Sequence, residues 1–211
     1  MGAFFDARAD GYEDHMKGLV YASFYLELAR LIPVGGALRL LDLGCGTGLE
    51  LDEIFLRNPD VQVTGIDLSE KMLARLREKH AARVGQLDLI RGDYFSYGYP
   101  PDTYDFVVSA ESLHHFTHEE KLGLYRKLRA TLKPGGRFID LDYVAADQAA
   151  EDEGFAEKER LLAEAGIAAG MYHIDTPLTV ENQVRLLREA GFNRMDVVRH
   201  EGSTVLLDAV K

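Results

Sequence analysis

The chain has 211 residues, of which 46% are hydrophobic and 28% charged, a balance typical of one soluble globular domain. Its 24 basic and 35 acidic residues give a formal net charge of −11, which argues against a nucleic-acid partner, because phosphate contact needs clustered lysine and arginine. Cys45 is the single cysteine, so no intrachain disulfide can form and we expect a cytoplasmic protein. With no signal peptide and no apolar run near the roughly 20 residues of a membrane span, we expect no membrane partner.

The predicted elements alternate between helices and strands along most of the chain. A helix over 16–32 ends at Pro33 and, with the residues around it, forms an N-terminal cap over 1–36. Strands are predicted at 38–43, 61–66, 87–91, 106–109 and 138–143, and helices between them at 47–57, 69–80 and 118–132. This alternation indicates parallel strands joined by right-handed crossovers.

The end of the chain departs from this alternation. After a helix over 179–190, two β-rich runs at 193–200 and 204–210 flank a turn at Glu201-Gly202-Ser203, which predicts a hairpin. We therefore predict an α/β fold with a doubly wound, mostly parallel seven-stranded sheet. Helices cover both faces, and a C-terminal hairpin adds one antiparallel strand. The prediction is a single domain over 1–211.

Residues 145–178 form an acidic, alanine-rich segment that follows the fifth strand. A helix is predicted from about Gln148 to Glu164, and Gly154, Gly166 and Gly170 interrupt the segment. Loops after the carboxyl ends of strands form the ligand crevice of α/β sheets. The segment is therefore either a substrate lid, which would build a substrate pocket with the helix over 16–32, or a surface helix without contacts. The sequence leaves both readings open.

The densest motif runs from Asp42 to Gly48, where a buried strand enters a glycine loop and then a helix. One glycine would fit an ordinary strand-to-helix turn, but this loop has Gly44, Gly46 and Gly48 beside Asp42. Glycines permit positive φ and remove Cβ atoms that would block a ligand lying against the backbone. The helix N-terminus adds free N–H groups that point at such a ligand.

Carboxylates follow the next two strands. Asp67, which lies 19 positions after Gly48, can accept both hydroxyls of an adenosine ribose. Asp93 can accept from an adenine amino group while Tyr94 stacks on the ring, although Asp93 alone is typical of a turn. A dinucleotide site prefers G-x-G-x-x-G, and the chain has Leu49 where that pattern needs its third glycine.

The glycine spacing instead resembles the first motif of the class I S-adenosylmethionine-dependent methyltransferases. Other segments resemble that family in the same order. Residues 106–116 are similar to the family's fourth-strand motif, and Leu132-Lys133-Pro134-Gly135-Gly136 is similar to the turn before its fifth strand. The C-terminal hairpin is similar to its last two strands. Residues 4–13 are similar to an F-D…A…Y-D opening, with Glu13 in place of the last Asp. The resemblance covers nearly the whole chain except 145–175.

The resemblance implies a Rossmann-like methyltransferase fold, S-adenosyl-L-methionine as cofactor and a small-molecule methyl acceptor. By it, the glycine loop lines the methionine part, Asp42 and the Ser109 carbonyl meet the ammonium, Asp67 holds the ribose, and Asp93 and Tyr94 frame the adenine. The cofactor-binding set carried over is Asp42, Gly44, Cys45, Gly46, Gly48, Asp67, Leu68, Asp93, Tyr94 and Ser109. Cys45 fills a variable small-residue position and is expected to pack.

His114 and His115 follow the fourth strand at the crevice. A neutral hydroxyl or ammonium acceptor needs a general base near neutral pH, and His114 is our candidate for that catalytic role. Such histidines also commonly pack or cap the next helix. His114, His115 and His118 with Glu119 would permit a metal reading, but no carboxylate pair has a firm ligand spacing, so we expect no metal.

Two other functions remain open from the sequence. One is a nicotinamide-dependent oxidoreductase, which Leu49 disfavours. The other is a non-catalytic S-adenosylmethionine-binding module, whose binding motifs would look the same. The sequence does not identify the acceptor or its nucleophilic atom, and a homodimer is left open.

Overall fold

A computed structural model describes residues 2–13, 21–165 and 174–211. The helices are α1 Gly2–Asp6, α2 Tyr21–Leu31, α3 Leu49–Arg57, α4 Glu70–Lys79, α5 His118–Thr131, α6 Gln148–Ala165 and α7 Val180–Glu189, with a 3₁₀-helix at Ala81–Gln86. The strands are β1 Arg39–Leu43, β2 Gln62–Asp67, β3 Leu87–Arg91, β4 Tyr104–Ala110, β5 Leu132–Tyr143, β6 Arg194–Glu201 and β7 Thr204–Val210. No helix among these residues is both long and apolar enough to cross a membrane.

The strands form one seven-stranded sheet in the order β3-β2-β1-β4-β5-β7-β6. The pairs from β3 through to β5 are parallel, whereas β7 lies antiparallel to both β5 and β6. The predicted doubly wound fold with a C-terminal antiparallel hairpin is therefore confirmed. Chain order reverses between β1 and β4, so a crevice opens beyond the carboxyl ends of these two strands.

The two faces of the sheet are covered by different helices because successive strand residues point to opposite sides. On one face, Leu40 and Ile139 pack in a cluster with residues of α2, α3 and α4. On the other face, their neighbours Leu41 and Phe138 pack with residues of α5 and α7. Burial on both sides explains why the strands read as continuous apolar runs rather than alternating ones.

Local capping signals place two helix starts where the sequence predicts them. The Ser69 hydroxyl accepts from the Met72 amide at 3.2 Å before α4, and the Thr179 hydroxyl accepts from the Asn182 amide at 3.2 Å before α7. Each satisfies one of the unpaired N–H groups at a helix N-terminus.

Strand β5 begins earlier than the predicted residue 138. Leu132 already pairs with Tyr104, and the register then shifts before Phe106 pairs with Arg137. The Lys-Pro-Gly-Gly segment forms this irregularity, with Gly135 at φ 75°. The turn that was predicted to precede the strand is therefore an irregularity within β5, similar to a β-bulge.

Some predicted features lie outside the described residues. They are residues 16–20 of the predicted first helix, and Gly166, Gly170, Met171, Tyr172 and His173 of the predicted lid segment.

Candidate active site

The glycine loop leaves β1 in a left-handed backbone. Gly44, Gly46 and Gly48 have φ of 67°, 48° and 69°, values that L side chains rarely adopt. The Gly44 amide donates to the Ile66 carbonyl at 2.8 Å, and the Gly48 amide donates to the Cys45 carbonyl at 2.7 Å. These bonds fold the loop tightly against the end of β2.

The three glycines have different surroundings. A Cβ on Gly44 would overlap the Ser112 side chain, whose Cβ would be 2.7 Å away, and a Cβ on Gly48 would press on Leu76 and Leu51 at 3.1 and 3.2 Å. A Cβ on Gly46 would meet only the Gly44 carbonyl, at 3.8 Å. Gly44 and Gly48 are therefore required by packing, whereas Gly46 keeps open space above the loop.

That space is an open cleft of about 540 Å³, a volume that includes the solvent at its mouth. It is lined from the glycine loop, the end of β2, the turn after β4 and the N-terminal segment. Five predicted cofactor residues line it: Gly44, Gly46, Asp67, Leu68 and Tyr94. The structure brings these residues together around one space.

A narrower pocket of about 260 Å³ adjoins the first at the N-terminus of α3. Cys45, Gly48 and Glu50 line it. Cys45 is buried, and its Sγ would lie 2.9 Å from a Cβ added to Gly65, which agrees with the predicted packing role. Asp42 lies in β1 beneath the loop and is 1% exposed.

Two predicted cofactor residues lie elsewhere. Asp93 is exposed, and its Oδ1 accepts from the Phe95 amide at 2.8 Å, the geometry of an Asx turn. Ser109 is buried inside the sheet, where it pairs with Leu43. Since β4 extends one residue further than predicted, Ala110 and Glu111 reach the cavity instead.

Asp67 fastens the glycine loop to β2. Its Oδ2 accepts from the Gly46 amide at 3.0 Å, and its Oδ1 accepts from the Ser69 amide at 2.7 Å. Burial raises the pKa of Asp67, an effect that these two backbone donors partly offset. Asp67 therefore shapes the loop as well as facing the cavity.

Asp67→Ala should weaken S-adenosylhomocysteine binding by roughly 10- to 100-fold, because hydrogen bonds to a charged group contribute about 1.5–3 kcal/mol. Isothermal titration calorimetry measures the change. Asp93→Ala is the matched control and should bind as the wild type does. Unchanged affinity in Asp67→Ala would remove Asp67 from the site, whereas a loss in Asp93→Ala would return Asp93 to it.

The N-terminal segment covers one side of the cavity through Phe5 and Tyr12. Asp6 anchors it at the start of α4, where Oδ1 accepts from the Ser69 hydroxyl at 2.6 Å and from the Lys71 amide at 3.2 Å. The sequence prediction matched residues 4–13 to a family opening but gave Phe5 no binding role. Only the packing of the segment against α4 places it in the cavity wall.

The two histidines after β4 take different positions. His114 is buried, and its Nδ1 lies 2.5 Å from Oδ1 of Asp142 in β5. His115 lines the cavity, and its Nδ1 lies 3.0 Å from Oδ1 of Asp175. Asp175 also lies 3.6 Å from Nε2 of His114. His114 is therefore held between two carboxylates, with His115 beside it.

Asp142 is arranged to stay ionised. Burial opposes its charge, but the adjacent His114 and the buried Lys121 of α5 together lower the pKa of Asp142 below its ordinary value of 3.8. Ionised Asp142 accepts from Nδ1 of His114, which directs Nε2 away from the sheet. Asp142 was not predicted, although two carboxylates in the strand Ile139-Asp140-Leu141-Asp142 are a signal that could have revealed it.

The same cluster has the composition of a metal site. One ligand atom each from His114, His115 and Asp175 lie within 4.8 Å of one another. Two histidines and a carboxylate suit several transition metals. The metal set considered from the sequence was His114, His115 and His118 with Glu119, so it did not include Asp175.

We nevertheless expect turnover to survive EDTA, because Asp175 and Asp142 give His114 two carboxylate partners without an ion. The measurement is the rate of S-adenosylhomocysteine formation before and after chelation. Activity that is lost with EDTA and restored by a divalent cation would identify His114, His115 and Asp175 as ligands.

Comparisons with known proteins point to methyltransferases. A family model described as a methyltransferase domain matches residues 40–136. The 27-O-demethylrifamycin SV methyltransferase of Amycolatopsis mediterranei is 31% identical over 166 residues, which are 78% of this chain and 57% of that enzyme. The chain spans only 43–57% of the length of three curated relatives that it matches, this enzyme included.

Solved structures share the fold at low sequence identity. The phosphoethanolamine N-methyltransferase 2 of Haemonchus contortus, solved with S-adenosyl-L-methionine, aligns with a TM-score of 0.63 and 22% identity, covering 83% of this chain and 38% of that one. The [4+2]-cyclase SpnF aligns with a TM-score of 0.63 and 23% identity, covering 83% of this chain and 60% of that one. Residues 40–136 thus match a methyltransferase-domain family, and these comparisons support the resemblance to the class I S-adenosylmethionine-dependent methyltransferases.

Proposed function

We propose that the protein transfers the methyl group of S-adenosyl-L-methionine to a small-molecule acceptor, giving S-adenosyl-L-homocysteine. The observation that carries the proposal is the glycine loop. Gly46 leaves open space above a left-handed backbone, and carboxylates flank that space. The sulfonium of the cofactor supplies an already activated methyl group. The protein then has to orient the acceptor and exclude water, and such orientation is worth up to roughly 7–11 kcal/mol.

The residues around the cavity fit this cofactor. Asp67 has lone pairs left for ribose hydroxyls beyond those that accept from Gly46 and Ser69. Tyr94 and Leu68 offer apolar surface for the adenosine, and Tyr94 is fixed because its hydroxyl donates to the Ser112 carbonyl at 3.0 Å. Asp42 supports the ammonium end from beneath the loop. Asp93 and Ser109 are left out of this assignment, because the Asp93 carboxylate closes its own turn and the Ser109 side chain is buried in the sheet.

His114 lies directly behind His115 of the cavity wall, and it is proposed to accept the proton of a hydroxyl or amine acceptor through one bridging water. Asp142 supports that role by holding Nδ1 and stabilising the charged imidazole that would form. His115 lies at the cavity wall, so the acceptor's nucleophilic atom would lie between the histidine pair and the methyl group.

The relatives' names support a small-molecule acceptor without selecting one. The rifamycin enzyme and the sterol 24-C-methyltransferase erg-4 of Neurospora crassa are named for different metabolites. A cytoplasmic location is proposed on the single cysteine, Cys45, which is buried and unpaired. A homodimer stays a prediction, and light scattering would test it.

The lid over 145–178 is also retained as a proposal, with a narrower extent. The first turns of α6 are anchored, because buried Glu151 accepts from the Thr179 amide at 2.6 Å and pairs with His118 at 2.8 Å. Lys158 donates to the His115 carbonyl at 2.8 Å. Among the described residues, a closing movement would therefore involve the part of α6 after Lys158.

Hydrogen exchange tests this division. Amides of 151–157 should exchange slowly in the free protein, whereas those of 159–165 should slow only when S-adenosylhomocysteine and an acceptor are present. Mass spectrometry of proteolytic peptides resolves the two parts. If 159–165 is already slow in the free protein, or stays fast in the ternary complex, these residues do not form a lid.

Calorimetric titration with S-adenosylhomocysteine and NAD tests the proposed function directly. We expect low-micromolar or tighter binding of S-adenosylhomocysteine and no binding of NAD. The chain has Leu49 where the dinucleotide-binding motif needs its third glycine. The reverse result would favour the oxidoreductase. Binding of S-adenosylmethionine without methyl transfer across a broad acceptor screen would favour a non-catalytic module.

A further inference from the structure

Glu50 is a buried acid without an assigned role. It is the second residue of α3 and is 5% exposed, and Asp42 in β1 is 1% exposed. The two carboxyl groups are close enough for each to act on the pKa of the other. Within the described residues, no amide, hydroxyl or cationic group donates to either oxygen of Asp42. Two buried carboxyl groups in this arrangement hold one proton between them, because like charges at contact cannot both ionise.

The surroundings of the pair add negative charge. Burial raises the pKa of both carboxyl groups, and the charges of Glu50 and of Asp67 at the end of β2 raise that of Asp42 further. Tyr12 of the N-terminal segment is close to the same acids. Burial raises the pKa of its phenol most, and the negative charges of Glu111, Glu50 and Asp67 raise it further. Glu50, Glu111 and Tyr12 all line the narrow pocket beside the glycine loop.

The nearby lysine is already engaged. Lys79 of α4 lowers the pKa of Glu50 through space, while Asp52 of α3 raises it. The Lys79 Nζ donates to the Gly48 carbonyl at 3.0 Å and pairs with Asp52 at 3.0 Å and Glu13 at 3.1 Å. Among the described residues, the acidic pocket therefore has no cation of its own to balance Asp42 and Glu50.

We propose that Glu50 is a second ammonium-binding residue, which forms with Asp42 an acid pair that receives the α-ammonium of the cofactor and releases its shared proton to solvent. This inference rests on the proposed function, because the ligand is the cofactor's aminoacyl end. The physical reason is that a positive charge a few ångströms away favours the ionised form of a carboxyl group. Binding and deprotonation are then linked.

The direction of the pH dependence follows. Ligands that carry the ammonium bind the deprotonated pair better, so their affinity should rise with pH until the free pair is ionised or the ligand's ammonium begins to lose its own proton. A ligand without the ammonium should lack this dependence. 5′-Methylthioadenosine is such a ligand, because it keeps the adenine and ribose but has no aminoacyl group.

The experiment is calorimetric titration of the full chain at one pH in buffers with different ionisation enthalpies. The slope of observed enthalpy against buffer enthalpy gives the protons exchanged. We expect S-adenosylhomocysteine to release up to about one proton more than 5′-methylthioadenosine. Because both ligands have the ribose, a proton lost from Asp67 cancels in this difference.

Glu50→Gln keeps an amide that can donate to Asp42 but cannot share an acidic proton. In this variant, the two ligands should release nearly the same number of protons on binding. S-adenosylhomocysteine should also bind at least roughly tenfold more weakly than it binds the wild type. Binding of 5′-methylthioadenosine should be unchanged, which shows that the variant is folded.

Two results would overturn the inference while leaving the proposed function intact. In one, both ligands release the same number of protons from the wild-type protein. In the other, Glu50→Gln releases as many as the wild type. If Glu50→Gln does not fold, the difference in proton release between the two ligands in the wild-type protein decides the inference by itself. Failure of S-adenosylhomocysteine to bind at all would instead overturn the proposed function.

Discussion

Gly46→Val should abolish detectable cofactor binding while the protein still folds. The branched side chain would stand in the open space above the loop, where the nearest atom of the described residues to its Cβ is the Gly44 carbonyl oxygen at 3.8 Å. It would therefore occupy volume intended for the ligand. An L residue at φ 48° also costs about 1–2 kcal/mol, which lowers stability but leaves the core intact. Calorimetry with S-adenosylhomocysteine and a thermal melt measure the two effects.

Gly135→Val separates the backbone cost from the loss of ligand space. Gly135 has φ 75° and also has nothing within 4 Å of an added Cβ, but it lies in the irregular part of β5, away from the cavity. It should lose similar stability and bind S-adenosylhomocysteine normally. If both variants bind normally, the glycine loop is not the cofactor cradle.

Features governed by neighbouring residues were predictable from the sequence. The hydroxyl caps Ser69 and Thr179 act on amides three positions later, so their chemistry lies within one turn. The sheet topology was predictable because alternation of strands and helices admits few connections. The start of β5 was not, because Leu132 joins the strand through pairing with Tyr104, a contact between distant parts of the chain.

The site was predictable in part, for the same reason. A glycine loop between a strand and a helix has a narrow set of conformations, so Gly44, Gly46 and Asp67 could be placed together. Asp93 follows a strand just as Asp67 does, yet its side chain closes its own turn instead of facing the cavity. That choice depends on the path of the following loop, which no residue pattern fixes.

Long-range partners determine what the histidines can do. His114 meets Asp142 across a strand pairing, and Asp175 reaches both histidines only because the chain returns before α7. The amide of Thr176, beside Asp175, donates to the His114 carbonyl at 2.7 Å and fixes that return. The sequence could name His114 and could not supply the two carboxylates that orient it.

His114→Gln should lower kcat by about 10²- to 10⁴-fold, the usual contribution of a positioned acid–base group. S-adenosylhomocysteine affinity should not change, because His114 is not among the residues that line the cavity. His200→Gln, on the exposed face of the edge strand β6, is the control and should keep full activity. The assay is S-adenosylhomocysteine formation with the acceptor that supports turnover.

Asp142→Asn makes the test specific for proton acceptance. Wild-type Asp142 has a pKa below 3.8 and stays ionised as pH falls, so its support for charged His114 is present across the assay range and is lost only in strong acid. Asparagine removes that charge at every pH, so kcat should fall while KM for S-adenosylmethionine is kept. The loss should be largest for an acceptor that must lose a proton. If kcat is unchanged in both variants, the acceptor reacts without a base, as an anion or a tertiary amine would, and His114 serves to pack the turn after β4 against β5.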